Sequence, residues 1–211
     1  RLRTSRKIAL LLGGRALRER GLRAAARIQK RMGCDLLAPT LPGYMERGPG
    51  LPLVERIPYF PERAAEMVSR YEKILFAGAP EPVTFFGNPG VRSRILSDDQ
   101  ERIVLCSDKQ NVAEALECLA DALGAPLKMT VDGNLIRPKR PGVAEGELTP
   151  EKACLTVAAL QPENGIIVDE AVTTGLSYFL LPGPLPAHAV INLSGGSIGQ
   201  GMPCATGAAI A

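Results

Sequence analysis

The sequence predicts an α/β fold: a doubly wound parallel sheet, followed by a second α/β domain that these residues only begin. Three observations predict it. Apolar runs of strand length, such as Ile8-Ala9-Leu10-Leu11-Leu12, alternate with segments whose apolar residues fall at helical spacing. The runs are continuous rather than alternating, as in strands buried on both faces. From Gly124 to Gly146 the chain is interrupted by Pro126, Gly133, Pro138, Pro141 and Gly142, and periodic order then restarts. The expected organisation is a Rossmann-like domain over 1–124, a linker over 125–147, and the N-terminal part of a second domain over 148–211.

Each element has a local cause. Gly13-Gly14 ends the first strand, and a helix is expected from about Arg15 to Met32, stopped by Gly33. Asp35-Leu36-Leu37-Ala38 reads as a second strand. Pro39 to Pro61, broken by Pro42, Gly48, Pro49, Gly50, Pro52 and Pro58, reads as a functional loop or surface excursion. Pro61 stands at a plausible first helical position. Lys73–Gly78 and Arg102–Cys106 are strands, with Pro82–Phe86 a further strand or a short loop element. Asn111–Leu123 is amphipathic, with Val112, Ala115, Leu116 and Leu119 on one side. Thr149-Pro150 caps a helix to about Leu160. Gly165–Glu170 is a strand ending in acids, a helix follows over roughly Thr173–Leu181, and Ala189–Leu193 is the last strand.

Composition excludes several function classes. Hydrophobic residues make up 45% and charged residues 22%, ordinary for a globular protein. No apolar run approaches the roughly 18 residues of a membrane span, so no membrane partner and a cytoplasmic location are expected. The five cysteines, Cys34, Cys106, Cys118, Cys154 and Cys204, are odd in number and scattered, which points to reduced thiols rather than disulfides or a metal site. Residues 1 to 31 hold eleven Arg or Lys against one acid, Glu19. Their apolar neighbours fall at helical spacing and no aromatic is interleaved, so a solvated helix face is expected rather than a nucleic-acid surface. The chain begins without Met and stops inside a helical segment, which suggests a piece of a longer protein.

Chemistry is expected beyond the carboxyl ends of strands. Two such ends stand out: Asp169-Glu170-Ala171-Val172-Thr173-Thr174-Gly175, and the loop Gly195-Gly196-Ser197-Ile198-Gly199 after the last strand. In the first, Thr173 and Thr174 suit either a phosphate oxygen or plain helix capping. In the second, glycines permit positive φ and close backbone approach. Gly196-Ser197-Ile198-Gly199-Gln200-Gly201 does not fit the G-x-G-x-x-G dinucleotide fingerprint.

Together the two segments resemble the diphosphate-binding domain of thiamine diphosphate-dependent enzymes, of the acetolactate synthase large subunit and benzoylformate decarboxylase type. The Glu170-to-Gly196 spacing and the continuation Gly199-x-x-Met202-Pro203-x-Ala205-x-Gly207-Ala208 carry the likeness, and residues 1–124 resemble the family's central domain. The resemblance implies a 2-keto-acid decarboxylase or carboligase with thiamine diphosphate and Mg2+, a small-molecule 2-keto acid as substrate, and a homo-oligomer, dimer or tetramer. By position, the Gly196 carbonyl would accept from the cofactor's 4′-amino group. The Ile198 N–H would donate to the pyrimidine, and the Ile198 side chain would wedge between the two rings beside Ser197. Thr173 and Thr174 would bind the diphosphate. The bend held by that wedge brings the imino nitrogen next to thiazolium C2, making deprotonation intramolecular.

The family's Gly-Asp-Gly metal motif and its catalytic glutamate, which comes from a neighbouring subunit, are not among these residues. No catalytic residue and no metal ligand is therefore expected here, and the piece alone is expected to be inactive. Acetolactate synthases proper also hold FAD; the Ala38–Pro58 loop lacks the Gly/Met-rich pattern, which speaks against it. The alternatives are an FAD- or nucleotide-binding Rossmann-type protein built on 1–124, and a non-catalytic assembly module. His188, the single histidine, reads as a surface or structural residue in a Pro-flanked turn. Asp98-Asp99-Gln100-Glu101 reads as a solvated loop, and Tyr59-Phe60 with Phe85-Phe86 as core packing or a subunit contact.

Overall fold

The computed structural model describes residues 7–87, 89–127, 140–181 and 185–211. They divide into two compact units. One lies within Arg1–Leu41 and Val54–Met129, the other within Pro42–Leu53 and Thr130–Ala211. Most of the expected linker, residues 128–139, lies outside the described residues.

Unit 1 is a five-stranded parallel sheet. Its strands are β1 (Ile8–Leu12), β2 (Asp35–Ala38), β4 (Glu55–Arg56), β5 (Lys73–Ala77) and β6 (Glu101–Cys106), in the order β4-β2-β1-β5-β6. β1 is central and buried over its whole length, so its continuous apolar run meets a core on each face. Ala9 and Leu11 pack with Leu37, Ile57, Ile74, Phe76 and the apolar side of α2 (Pro61–Val68), through Ala64, Met67 and Val68. By strand alternation Leu10 and Leu12 fall on the opposite face, where α1 (Glu19–Met32) and α3 (Val112–Ala122) cover the sheet. This is the doubly wound arrangement expected.

The first helix is not continuous. Gly14–Leu17 is a short 3-10 turn, Arg18 is extended, and α1 starts at Glu19. The break lets the Ala16 backbone press on α1 at Gly21, where a Cβ would lie 2.5 Å from the Ala16 carbonyl oxygen. Gly33 ends α1 in the left-handed region, φ 69°. Asn111 caps α3, accepting the Glu114 N–H and donating its amide to the Glu114 carboxylate.

The basic face of α1 is not a merely solvated one. Arg20 makes a paired contact with Glu117 of α3, at 2.8 and 2.6 Å. Arg27 reaches Asp121 and the Pro126 carbonyl, and Arg31 donates to the Leu123 carbonyl. The arginines tie α1 to α3 and close the helix end of α3, roles that charge counting could not distinguish from exposure.

The 98–101 segment is likewise more than a solvated loop. Gln100 is buried and donates to the carbonyls of Val68 and Tyr71 at 2.7 Å each, which joins the end of α2 to the start of β6. Asp98 pairs with Arg92, and Glu101 with Lys73. The Pro82–Phe86 stretch contributes one isolated bridge, Val83 to Arg94, rather than a strand. Tyr59 meets Phe60 and Phe86 edge-on and lies tilted against Phe85 at 5.5 Å, with Phe60 and Phe86 largely exposed rather than in the core.

Unit 2 holds a three-stranded sheet in the order β3-β8-β7, with α4 (Pro150–Leu160), α5 (Leu176–Leu180) and α6 (Gly201–Ile210). β7 (Gly165–Asp169) and β8 (His188–Asn192) are parallel, and β3 (Met45–Arg47) adds antiparallel to β8. The Pro-rich excursion thus contributes a strand, which three residues with two charges did not announce. Cys154, Ala158, Tyr178, Leu185 and Val190 form the small core. Thr149 caps α4 by accepting the Lys152 N–H, with Pro150 at the first helical position. Arg140 closes the other end, donating to the carbonyls of Ala159 and Gln161.

Candidate functional site

The two expected chemistry-bearing segments follow adjacent parallel strands. Asp169 of β7 and Asn192 of β8 are register partners, so the loops leave the sheet side by side. The sequence reasoning paired them by spacing; the contact that joins them is the side chain of Glu170. Its carboxylate accepts the backbone N–H groups of Gly199 and of Gly201, the first residue of α6. A carboxylate at a helix N-terminus satisfies orphan donors and opposes the positive end of the dipole. A Cβ on Gly201 would crowd the Glu170 carboxylate, so the carboxylate would have to shift to admit one.

The glycine loop is strapped at its other end too. Gln200 donates its side-chain amide to the Asn192 carbonyl at 3.1 Å, and buried Asn192 donates to the Pro42 carbonyl at 2.7 Å. Between these anchors Gly195, Gly196 and Gly199 all take positive φ, at 61°, 73° and 97°. For Gly195 and Gly199 a Cβ would meet nothing, so conformation and not crowding demands glycine there. The loop displays Ile198, 86% exposed, with Ser197 exposed beside it.

The 171–175 loop is shaped by Asp169, whose carboxylate accepts the Ala171 N–H at 3.0 Å, and by the Gly175 N–H on the Ala171 carbonyl at 2.8 Å. Helix α5 begins at Leu176, not near Thr173, and its N-cap is Gly175 without a side-chain hydrogen bond. Plain capping by Thr173 or Thr174 is therefore not what these residues do. Both are exposed, and the Cys154 thiol pins the loop by donating to the Thr174 carbonyl at 3.3 Å. Burial pushes that thiol's pKa up, so it stays protonated and able to donate.

Beneath the sheet lies a buried polar group that the sequence did not reveal. His188 is not on the surface: it is 5% exposed on β8, directly opposite Arg47 of β3, with Nδ1 2.7 Å from the Pro186 carbonyl. Burial first, and then the neighbouring Arg47 charge, hold its pKa below the usual histidine value. Tyr178 packs edge-on to the His188 ring at 5.8 Å and donates to Gln161 at 2.5 Å, its pKa pushed up to about 12 by burial. Arg47 lies over the Phe179 ring at 5.4 Å. These contacts fix α5 on β8 and so set the height of the Thr173-Thr174 loop above it.

The carboxyl ends of β1 and β5, where a doubly wound sheet offers its own crevice, are in backbone contact. A Cβ on Gly13 would lie 2.5 Å from the Gly78 oxygen, and one on Gly78 would meet the Gly13 oxygen at 2.9 Å. Among the described residues no group of three or more His, Cys, Asp or Glu is placed to hold a metal ion. Three of the five cysteines are buried and none is bridged. No helix among the described residues is long and apolar enough to cross a membrane.

No protein-family model matches the chain. Along its whole length it is 40% identical, over 210 residues, to IlvX of Mycobacterium tuberculosis, a protein named as acetolactate synthase large subunit-like. The chain covers 40% of that relative. A Mycobacterium smegmatis structure assigned to the thiamin diphosphate-dependent enzymes superposes with a TM-score of 0.70 at 20% identity, over 99% of this chain and 43% of that one. The thiamine diphosphate-dependent 4-hydroxybenzoylformate decarboxylase of Rhodococcus jostii RHA1 superposes with a TM-score of 0.73 at 18% identity, over 99% and 42%. The chain thus spans about two fifths of the length of the proteins it matches. By sequence the chain is similar to a protein named as acetolactate synthase large subunit-like, and its fold matches part of two thiamine diphosphate-dependent enzyme structures.

Proposed function

We propose that these residues belong to a thiamine diphosphate-dependent 2-keto-acid decarboxylase (a lyase) or carboligase (a transferase) of acetolactate synthase type. Unit 2 serves it as the seat of the cofactor's pyrimidine ring. The observation that carries this is Ile198, exposed on a loop of left-handed glycines that is anchored at both ends. The residues fit the group: positive-φ glycines let the 195–199 backbone approach a ring closely, and Thr173 and Thr174 stand on the neighbouring loop with hydroxyls that cap no helix.

In this reading the Gly196 carbonyl accepts from the pyrimidine's amino group and the Ile198 N–H donates to the ring. The Ile198 side chain fills the angle between the two rings, and Ser197 lines the loop beside it. Thr173 and Thr174 hold diphosphate oxygens. When bound, thiamine diphosphate supplies the electron sink for loss of CO2 from a 2-keto acid. What this chain adds is orientation: a fixed loop presents the ring without paying ordering entropy on binding. In this reading Mg2+ enters as a partner of the diphosphate.

The same reading extends to a small-molecule 2-keto acid as substrate, a homo-oligomer as the working assembly and the cytoplasm as the compartment, the last in keeping with five unbridged cysteines. These 211 residues alone do not turn over 2-keto acid. Equilibrium dialysis of thiamine diphosphate against the chain and its Ile198→Ala variant tests the seat. Retention that falls at least several-fold in the variant is expected, and equal retention by both contradicts the reading.

A further inference from the structure

We propose that Glu170 is the positioning residue of the glycine loop, and that its carboxylate makes this loop a seat for an uncharged, donor-rich heterocycle rather than for a phosphate. The inference deepens the pyrimidine-seat reading and rests on it. A loop of glycines running into a helix N-terminus would otherwise be a ready anion site, with free N–H groups and a positive dipole end. Here that capacity is taken. One carboxylate oxygen of Glu170 accepts the Gly199 N–H and the other accepts the Gly201 N–H. A second anion at the same end of α6 would meet Glu170's charge and find its donors engaged.

The sequence places this carboxylate with purpose. It stands one residue beyond β7, next to the strand that feeds the glycine loop, so it reaches across from one loop to the other. Gly201 has no Cβ, which leaves the carboxylate room to sit against its N–H. Ile198 lies inside the span closed by Glu170 and by Gln200 on the Asn192 carbonyl. Losing Glu170 frees one side of that span, so the loop's φ values and the direction of Ile198 are no longer fixed.

Backbone-resolved NMR of the 211-residue chain, its Glu170→Gln variant and its Glu170→Ala variant tests this, with far-ultraviolet circular dichroism to establish that each is folded. Hydrogen exchange at Gly199 and Gly201 should accelerate by about 10- to 100-fold in both variants, the loss of a charge-assisted hydrogen bond. Inorganic pyrophosphate should leave those two amides unmoved in the wild type and shift them in Glu170→Ala. Thiamine, which carries no phosphate, should shift Gly196 and Ile198 in the wild type and less in Glu170→Gln. Unchanged exchange in folded variants, or pyrophosphate shifts at Gly199 and Gly201 in the wild type, would overturn the role of Glu170. Accelerated exchange with no thiamine response anywhere would retain Glu170 as the anchor and defeat the seat reading instead.

Discussion

Gly13 and Gly78 meet backbone to backbone at the carboxyl ends of β1 and β5: a Cβ on Gly13 would lie 2.5 Å from the Gly78 oxygen. Gly13 has an ordinary extended φ of −136°, so its need for glycine is purely steric. Gly13→Ala should therefore destabilise unit 1 by about 2 kcal/mol or more, an overpacking cost against backbone that cannot rotate away. Urea denaturation followed by circular dichroism checks it. A variant within about 0.5 kcal/mol of wild type would mean that the two strand ends part easily.

Glycines in α6 should divide sharply. Gly201→Ala drives a methyl into the Glu170 carboxylate and should cost about 1–3 kcal/mol by forcing a charged acceptor off its donors. Gly207→Ala, in the same helix with nothing near its Cβ, should stabilise by about 1 kcal/mol through helix propensity. Thermal or urea unfolding of unit 2 reads both signs in one experiment.

His188 predicts a pH dependence of stability. Its folded pKa lies below the ordinary value because burial disfavours the charged ring, with Arg47 adding to it; the Pro186 carbonyl, second only to burial, and Glu163 pull the other way. The unfolded chain therefore takes up a proton before the folded one does. Stability is full above the ordinary histidine pKa and falls as pH drops through about 6.5 toward the lower folded value, by at most roughly 1.4 kcal/mol per pH unit. With one histidine in the sequence, His188→Gln should flatten the dependence below about pH 6.5. An equally steep slope in the variant would assign it to carboxylates.

Ile198→Ala should leave stability within about 0.5 kcal/mol of wild type, since the side chain is mostly in water already. Leu10→Ala, fully buried in β1, should cost about 2–5 kcal/mol. The pair separates a displayed hydrophobe from a packed one, read by the same denaturation curves.

What could be read from the sequence was local. The run Ile8–Leu12, the Gly33 stop, the Thr149-Pro150 start and the apolar stripe of α3 each encode their own element within a few residues. The strand-end segments could be paired through the family resemblance carried by the Glu170-to-Gly196 spacing. What escaped depends on distant partners. Met45-Glu46-Arg47 becomes a strand only because β8, far along the chain, offers its edge. Gln100 is a staple because two carbonyls need donors, and the α1 arginines are ties because acids of α3 lie opposite. Glu170 was visible as a residue at a strand end; its partners are backbone N–H groups, which no residue type advertises.

The most direct test of the cofactor seat is amide-resolved NMR titration of the 211-residue chain with thiamine diphosphate, with and without Mg2+. The account predicts weak binding, in roughly the millimolar range that corresponds to about 4 kcal/mol, little changed by Mg2+, with shifts confined to Thr173–Gly175 and Gly196–Ile198. Shifts confined to unit 1, or tight micromolar binding that requires Mg2+, would contradict it.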